Sequence, residues 1–227
     1  MDISSFLIPE APPSIFYIPN FVTESEEEYI INRVNTAPKP KWTQLRNRRL
    51  QNWGGIPHPN GMIVEEIPQW LKLFLNKVDD LKLYEKGNLK ANHVLVNEYL
   101  PGQGIMAHVD GPLFYPTIIT ISCGSHTILN FQKQKDIDKE TYTEESKKLS
   151  ILLERRSLIA VMDSMYTDYL HEIEEKTEDK LNDSIVNINK TKYSINDCLK
   201  RDTRISLTIR HVPKLSKIKL PFLMKKK

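Results

Sequence analysis

His108-Val109-Asp110 sets an imidazole and a carboxylate two residues apart. On a strand, where alternate side chains share a face, the two would point to one locus. A third ligand would complete a facial site, and His171, in YLHEI beyond the apolar run SLIAVM, is the best candidate by order along the chain. Two imidazoles and a carboxylate on one face of an octahedron leave three positions open, the arrangement of non-haem Fe(II) oxygenases; zinc fits it less naturally. An H-x-D triplet also arises by chance, so it gains weight only in company.

RISLTIR (204–210) supplies that company. Arg204, Ser206, Thr208 and Arg210 alternate with Ile205, Leu207 and Ile209, giving one polar and one apolar face. An ordinary half-solvated strand is the competing reading. The two arginines start about 20 Å apart at the usual strand rise. That is too far to share one carboxylate, but it suits two long side chains gripping opposite ends of a dicarboxylate, with Ser206 between them. A dicarboxylate that also chelates iron is 2-oxoglutarate. Asn97 and Tyr99 again occupy alternate positions, where an amide and a phenol could donate to the same ligand or simply end a strand.

A second constellation is basic and aromatic. Between Ala37 and Trp53 stand Lys39, Lys41, Arg46, Arg48 and Arg49, with Trp42 and Trp53 and no acid. Such a segment can follow a phosphate backbone and stack bases, or it can be a solvated loop with tryptophans in the core. No Lys or Arg lies between Ala91 and Phe131, so phosphate contacts near the H-x-D segment would have to come from elsewhere in the chain. The stretch from Lys214 to Lys227 holds six lysines and no acid and reads as a basic, solvated tail.

The elements that must position these residues are mostly strands. TESEEEYIINRV begins with a Thr cap and acids in its first turn, and predicts a helix from Thr23. The spacing of Ile67, Leu71, Phe74, Leu75 and Val78 predicts another within 65–82, and NWGGIPHPNG between them reads as a loop. After Lys90 the period shortens. Strands are expected at 93–100, 117–122, 126–131, 148–154, 157–162 and 204–210, with Cys123-Gly124-Ser125 and Arg155-Arg156 as hairpin turns. Charged segments at 132–147 and 176–201 read as solvated interruptions. The fold class is therefore mainly β with flanking α: an antiparallel double sheet under N-terminal helices.

Size and composition agree with a globular protein. The 227 residues are 40% hydrophobic and 27% charged with a net charge of +3, which excludes wholesale disorder, collagen and coiled coil. No apolar run approaches the roughly 18 to 20 residues of a membrane span. Cys123 and Cys198 lie far apart without a CxxC, so reduced thiols in a monomeric protein of the nucleus or cytoplasm are expected.

Taken in order, N-x-Y-x-P-G-x-x-I-x-x-H-x-D (97–110), then His171, then R-x-S-L-T-x-R (204–210), the chain resembles the AlkB family of Fe(II)- and 2-oxoglutarate-dependent dioxygenases. The resemblance covers most of the chain. It implies iron held by His108, Asp110 and His171, and 2-oxoglutarate held by Arg204 and Arg210 with further contacts from Asn97 and Tyr99. Dioxygen is the other cosubstrate, and no catalytic residue is needed beyond the metal centre. It also implies a double-stranded β-helix, or jelly roll, over 91–213 with an insertion at 176–201. Residues 1–90 would then carry helices and a substrate lid at 37–62, with a tail at 214–227. The implied chemistry is hydroxylation, and hence demethylation, of an alkylated nucleic-acid base, with Lys39, Lys41, Arg46, Arg48, Arg49 and Trp53 as substrate contacts. A protein or small-molecule substrate, or a metal-stabilised binding module without turnover, are the alternatives. His58, His93, His126 and His211 are read as structural or surface residues.

Overall fold

The computed structural model describes residues 2–84, 89–134 and 148–216. In chain order its elements are β1 (Ile15–Ile18), α1 (Glu24–Asn35), β2 (Trp42–Gln44), β3 (Arg49–Trp53), β4 (Gly55–Ile56), β5 (Ile63–Val64), α2 (Gln69–Asp79), β6 (His93–Tyr99) and β7 (Ile105–His108). There follow β8 (Thr117–Cys123), β9 (Thr127–Lys133), β10 (Leu149–Leu153), β11 (Leu158–Met162), α3 (Asp163–Thr167), β12 (Tyr169–Ile173), β13 (Glu178–Lys180), β14 (Cys198–Lys200) and β15 (Arg204–Arg210).

Two antiparallel sheets face each other. The larger runs β1-β11-β8-β15-β6-β3-β2 and the smaller β10-β9-β12-β7. Val94, Val96, Ile205, Leu207 and Ile209 on the outer face of the larger sheet pack against Ile30 and Val34 of α1 and Leu71, Phe74 and Val78 of α2. Between the sheets lie Tyr17, Tyr99, Leu129, Phe131, Ile151, Leu153, Ile159 and Ile173. Helix α1 starts where expected because Thr23 and Glu26 form a capping box. Helix α2 starts later than the apolar spacing suggests, since Pro68 stands at its N-cap and Glu65 and Glu66 precede it.

The two expected hairpins are not hairpins. β8 pairs with β11 and β15, whereas β9 pairs with β10 and β12, so Cys123-Gly124-Ser125 is a corner between sheets. Arg155-Arg156 is the return corner, from β10 in the smaller sheet to β11 in the larger. This alternation between sheets makes the jelly roll. Gly124 has φ +81° and a Cβ there would lie 2.5 Å from the Thr203 carbonyl oxygen, so the corner needs glycine.

Three other expectations change. The segment read as a loop and lid carries strands as well: β2 pairs with β3, and β3 extends the larger sheet by pairing with β6. Residues 1–90 thus contribute β1, β2 and β3 to the main sheet as well as helices. The 176–201 insertion is not merely solvated, because Leu181 and Ile185 form a small core with Leu152, and the Asn187 side chain bonds both backbone groups of Leu152. The first residues of the tail dock, with Lys214 and Ser216 bonding the Met62 backbone; 217–227, like most of the 132–147 interruption, lie outside the described residues.

Candidate active site

A cavity of about 360 Å³ opens between the sheets. Its wall carries Arg204, Ser206, Thr208 and Arg210 of β15 beside Tyr99, Asn97, Leu95 and His93 of β6, each directly opposite its partner in register. All seven residues of β15 are buried. The polar face therefore looks into an interior cavity and not into solvent, which excludes the half-solvated strand. Burying such a face is costly unless it meets partners, and Arg204 Nε, Arg210 Nε and both His93 nitrogens have none among the described residues.

At the mouth, His108, Asp110 and His171 converge. The two imidazole centroids are 4.4 Å apart, and His171 Nε2 is 3.7 Å from Asp110 Oδ2. The shared-strand-face reading of His108 and Asp110 needs correction: β7 ends at His108, and Asp110 lies in the loop that follows. What aims His108 inward is an irregularity in the ladder, where His171 pairs with His108 but Ile173 pairs with Ile105. An extra residue in β7 re-aims the side chain, as bulges beside active sites do. His108 Nδ1 donates to the Met106 carbonyl at 2.8 Å, which leaves the Nε2 lone pair for a metal. Desolvation in the cavity pushes the His171 pKa down to about 4, so this imidazole too keeps its lone pair at neutral pH.

Among the described residues no three His, Cys, Asp or Glu side chains are drawn tightly enough to cage an ion. Asp110 directs Oδ1 to an ion pair with Arg210 and Oδ2 to His171. The donor chemistry, two neutral imidazoles and one carboxylate, still suits a facial Fe(II) site.

At the far end Arg204 is 4% exposed. One Nη donates to Ser122 Oγ at 2.9 Å, the guanidinium sits 5.7 Å from the Tyr99 ring, and Nε has no partner among the described residues. No described carboxylate pairs with it, and burial pulls its pKa down to about 10. A buried guanidinium held without a counter-ion, and with a donor to spare, marks an anion site. Asn97 accepts from Arg48 Nε at 3.2 Å, which leaves its amide NH₂ for a ligand.

The basic segment divides. On β3 and the turn before it, Asn52 and Arg48 line the cavity, whereas Arg49 and Trp53 point to the helix side. Arg49 is committed to Glu98 at 2.6 and 2.7 Å and stacks on Trp42. Lys41 pairs with Glu65 at 2.7 Å and lies over Trp53, which packs edge-on against Trp70. Lys39 and Arg46 are exposed. Of the six expected substrate contacts, the structure brings only Arg48 to the cavity.

The other histidines separate as well. His126 is buried against Asp179 at 3.1 Å, His211 bonds the Lys90 carbonyl, and His58 is exposed. His93, read as structural or surface, lines the cavity, and its shared parity with Leu95, Asn97 and Tyr99 was the signal available. Phe114 and Tyr166 also line it, from segments that carry no periodic pattern.

Residues 43–210 match the 2OG-Fe(II) oxygenase superfamily. The chain is 49% identical over 229 residues, 100% of its own length and 97% of the other, to a Danio rerio protein described as probable RNA/DNA demethylase ALKBH6. The structure of OsALKBH1 aligns with a TM-score of 0.59 at 15% identity, covering 88% of this chain and 99% of that one. A Pseudomonas putida prolyl-4-hydroxylase aligns with a TM-score of 0.53 at 11% identity, covering 89% and 92%. At such identities the last two speak for the jelly roll alone. Sequence match and fold agree with a cavity that has a facial donor set at one end and a buried arginine at the other: the chain belongs to the 2OG-Fe(II) oxygenase superfamily and is a dioxygenase.

Proposed function

We propose that this cavity is the active site of an oxygenase that demethylates alkylated nucleic-acid bases. The observation that carries the site is Arg204, a buried guanidinium without an anionic partner among the described residues, sharing the cavity with His108, Asp110 and His171. His108 through Nε2, Asp110 and His171 would hold Fe(II). Arg204, with Tyr99 and Ser206, would take the distal carboxylate of 2-oxoglutarate, and Asn97 would donate to the same ligand. Arg210 pairs with the Asp110 carboxylate and would hold the other carboxylate of 2-oxoglutarate. Leu129, Phe131, Ile159 and Ile173 exclude water from the interior.

When bound, iron and 2-oxoglutarate supply oxidative decarboxylation, in which one atom of dioxygen goes to succinate and the other into a substrate C–H bond. If that bond belongs to an N-methyl group, the product is a hemiaminal that releases formaldehyde. The chain needs no general base for this; its tasks are ligand geometry, orientation and water exclusion.

A nucleic-acid substrate is supported by the 49% identical relative described as a probable RNA/DNA demethylase. Arg48 at the cavity, with exposed Lys39 and Arg46 nearby in sequence, would supply the phosphate contacts. The test incubates the protein with Fe(II), 2-oxoglutarate and single-stranded RNA, DNA and peptides that each carry one N-methyl group. Mass spectrometry should show methyl loss on oligonucleotides, matched by succinate and formaldehyde. Replacing Lys39, Arg46 and Arg48 with Ala should lower the salt dependence of oligonucleotide binding by about one unit for each phosphate no longer neutralised. Methyl loss confined to peptides overturns the substrate assignment.

A further inference from the structure

His93 is 1% exposed, yet neither ring nitrogen has a hydrogen-bond partner among the described residues. Such a group is expensive to bury, since each unsatisfied polar atom costs its desolvation and returns nothing. Packing alone would be served better by Phe or Leu. The ring is not sealed in a core, however. It stands on the cavity face of β6 opposite Arg210, with its centroid 5.9 Å from Phe114 and the two planes tilted by 33°. Asn52 stands on the same face of the neighbouring β3, opposite Leu95.

Two other polar groups at this end are engaged. Tyr166 donates its hydroxyl to the Gly111 carbonyl at 2.8 Å, and Arg210 pairs with Asp110. His93 is thus a buried polar side chain in the cavity wall, near the metal-site end, whose ring atoms no described protein group satisfies. Burial, reinforced by Arg210, pushes its pKa down to about 3, so the ring is neutral and offers one donor and one acceptor, interchangeable through its tautomers.

We propose that His93 is a specificity-determining residue that hydrogen-bonds the polar edge of a planar heteroaromatic group seated against Phe114. The proposal rests on the nucleic-acid reading above and narrows it to a group on the chain that does the selecting. A nucleobase edge carries acceptors as well as donors, so either tautomer of His93 finds a match. A methylated lysine offers no acceptor and no planar edge to lie against Phe114.

The experiment uses the full chain loaded with Fe(II) and compares it with His93→Phe and His93→Gln. The probe is a short single-stranded RNA carrying one N-methylated adenine or cytosine, and both substrate-free 2-oxoglutarate turnover and thermal unfolding are followed. His93→Phe is expected to raise KM for the oligonucleotide about tenfold or more. The same variant should leave the 2-oxoglutarate KM and substrate-free turnover unchanged and keep or raise Tm, because it removes two orphaned nitrogens. His93→Gln, which restores a donor and an acceptor, should recover much of the oligonucleotide KM. An unchanged oligonucleotide KM in His93→Phe overturns the proposal while leaving the nucleic-acid reading intact. So does a loss of Tm and 2-oxoglutarate turnover shared by both variants, which would make His93 structural. Failure of the unaltered protein to act on any methylated oligonucleotide overturns the nucleic-acid reading and this proposal together.

Discussion

Asp110 faces two neighbours at once, since one carboxylate oxygen pairs with Arg210 and the other faces His171. Asp110→Ala therefore removes the anionic donor of the metal set and strands Arg210, whose side chain is 7% exposed. Succinate production should vanish, and urea denaturation should show a loss of about 3 kcal/mol, the usual cost of leaving one member of a buried pair alone. Activity retained within twofold would remove Asp110 from the site. Arg204 makes a different prediction because its charge alone is not what the cavity uses. Arg204→Lys keeps the cation but loses the planar fork that meets a carboxylate through two N–H groups. Calorimetry should find 2-oxoglutarate bound about tenfold or more weakly, with metal binding unchanged. Equal affinity for 2-oxoglutarate in both proteins would unseat Arg204 as its anchor.

Glu27, fully buried on α1, ties both inter-sheet corners to one helix. It accepts from the Gly124 backbone N–H at 2.8 Å and from Arg155 Nε at 3.0 and 3.1 Å. One carboxylate thus clamps the exit of β8 and the entry of β11, and these corners fix how the two cavity walls face. Glu27→Leu should destabilise the protein by about 1 to 2 kcal/mol, since it leaves the half-buried Gly124 N–H without its acceptor, whereas the Arg155 guanidinium, 47% exposed, can turn to water. Amide exchange should accelerate at Gly124 before it does in β6 or β15. Gly124→Ala tests the same corner from the backbone side. With φ at +81° and the Thr203 carbonyl oxygen 2.5 Å from the new Cβ, a loss of about 2 kcal/mol is expected in denaturant titrations. A neutral Gly124→Ala would show that the corner relaxes freely.

Acid stability belongs to the molecule as a whole, because it sums buried groups in separate places. Burial holds the His93 pKa at about 3, against 6.5 in the unfolded chain. The unfolded state then binds more protons between those values, so stability falls as pH drops from about 6.5 toward 3. Asp179, despite the desolvation of its burial, is held down to about 2 by hydrogen bonds from His126 and Arg201. Its contribution is complete above an unfolded value of 3.8 and is lost as pH falls through about 2. Two acid limbs should therefore appear in unfolding free energies measured against pH. His93→Phe should shrink the upper limb, which His171 at about 4 shares, and leave the lower one, whereas an unchanged upper limb would show that His93 gains a partner when protonated.

Read alone, the sequence determined the central strands of both sheets and, in RISLTIR, which residue types share a face. β-branched runs made β6, β8, β10, β11 and β15 visible, Thr23 marked the start of α1, and the period of two in RISLTIR put both arginines on one side. The order of His108, Asp110, His171, Arg204 and Arg210 carried the family. Local periodicity does not encode the partner of a strand, however, and partners decide everything that followed. Whether Cys123-Gly124-Ser125 is a hairpin or a corner depends on which sheet receives β9, a matter of long-range pairing. The polar face of β15 became a cavity wall only because the smaller sheet closes over it. Likewise the pleat of β3, once paired with β6, sent Asn52 into the cavity beside Arg48 and turned Arg49 and Trp53 to the helices. A residue's type and parity are local properties of the chain, but what lies opposite that face is fixed only when distant strands meet.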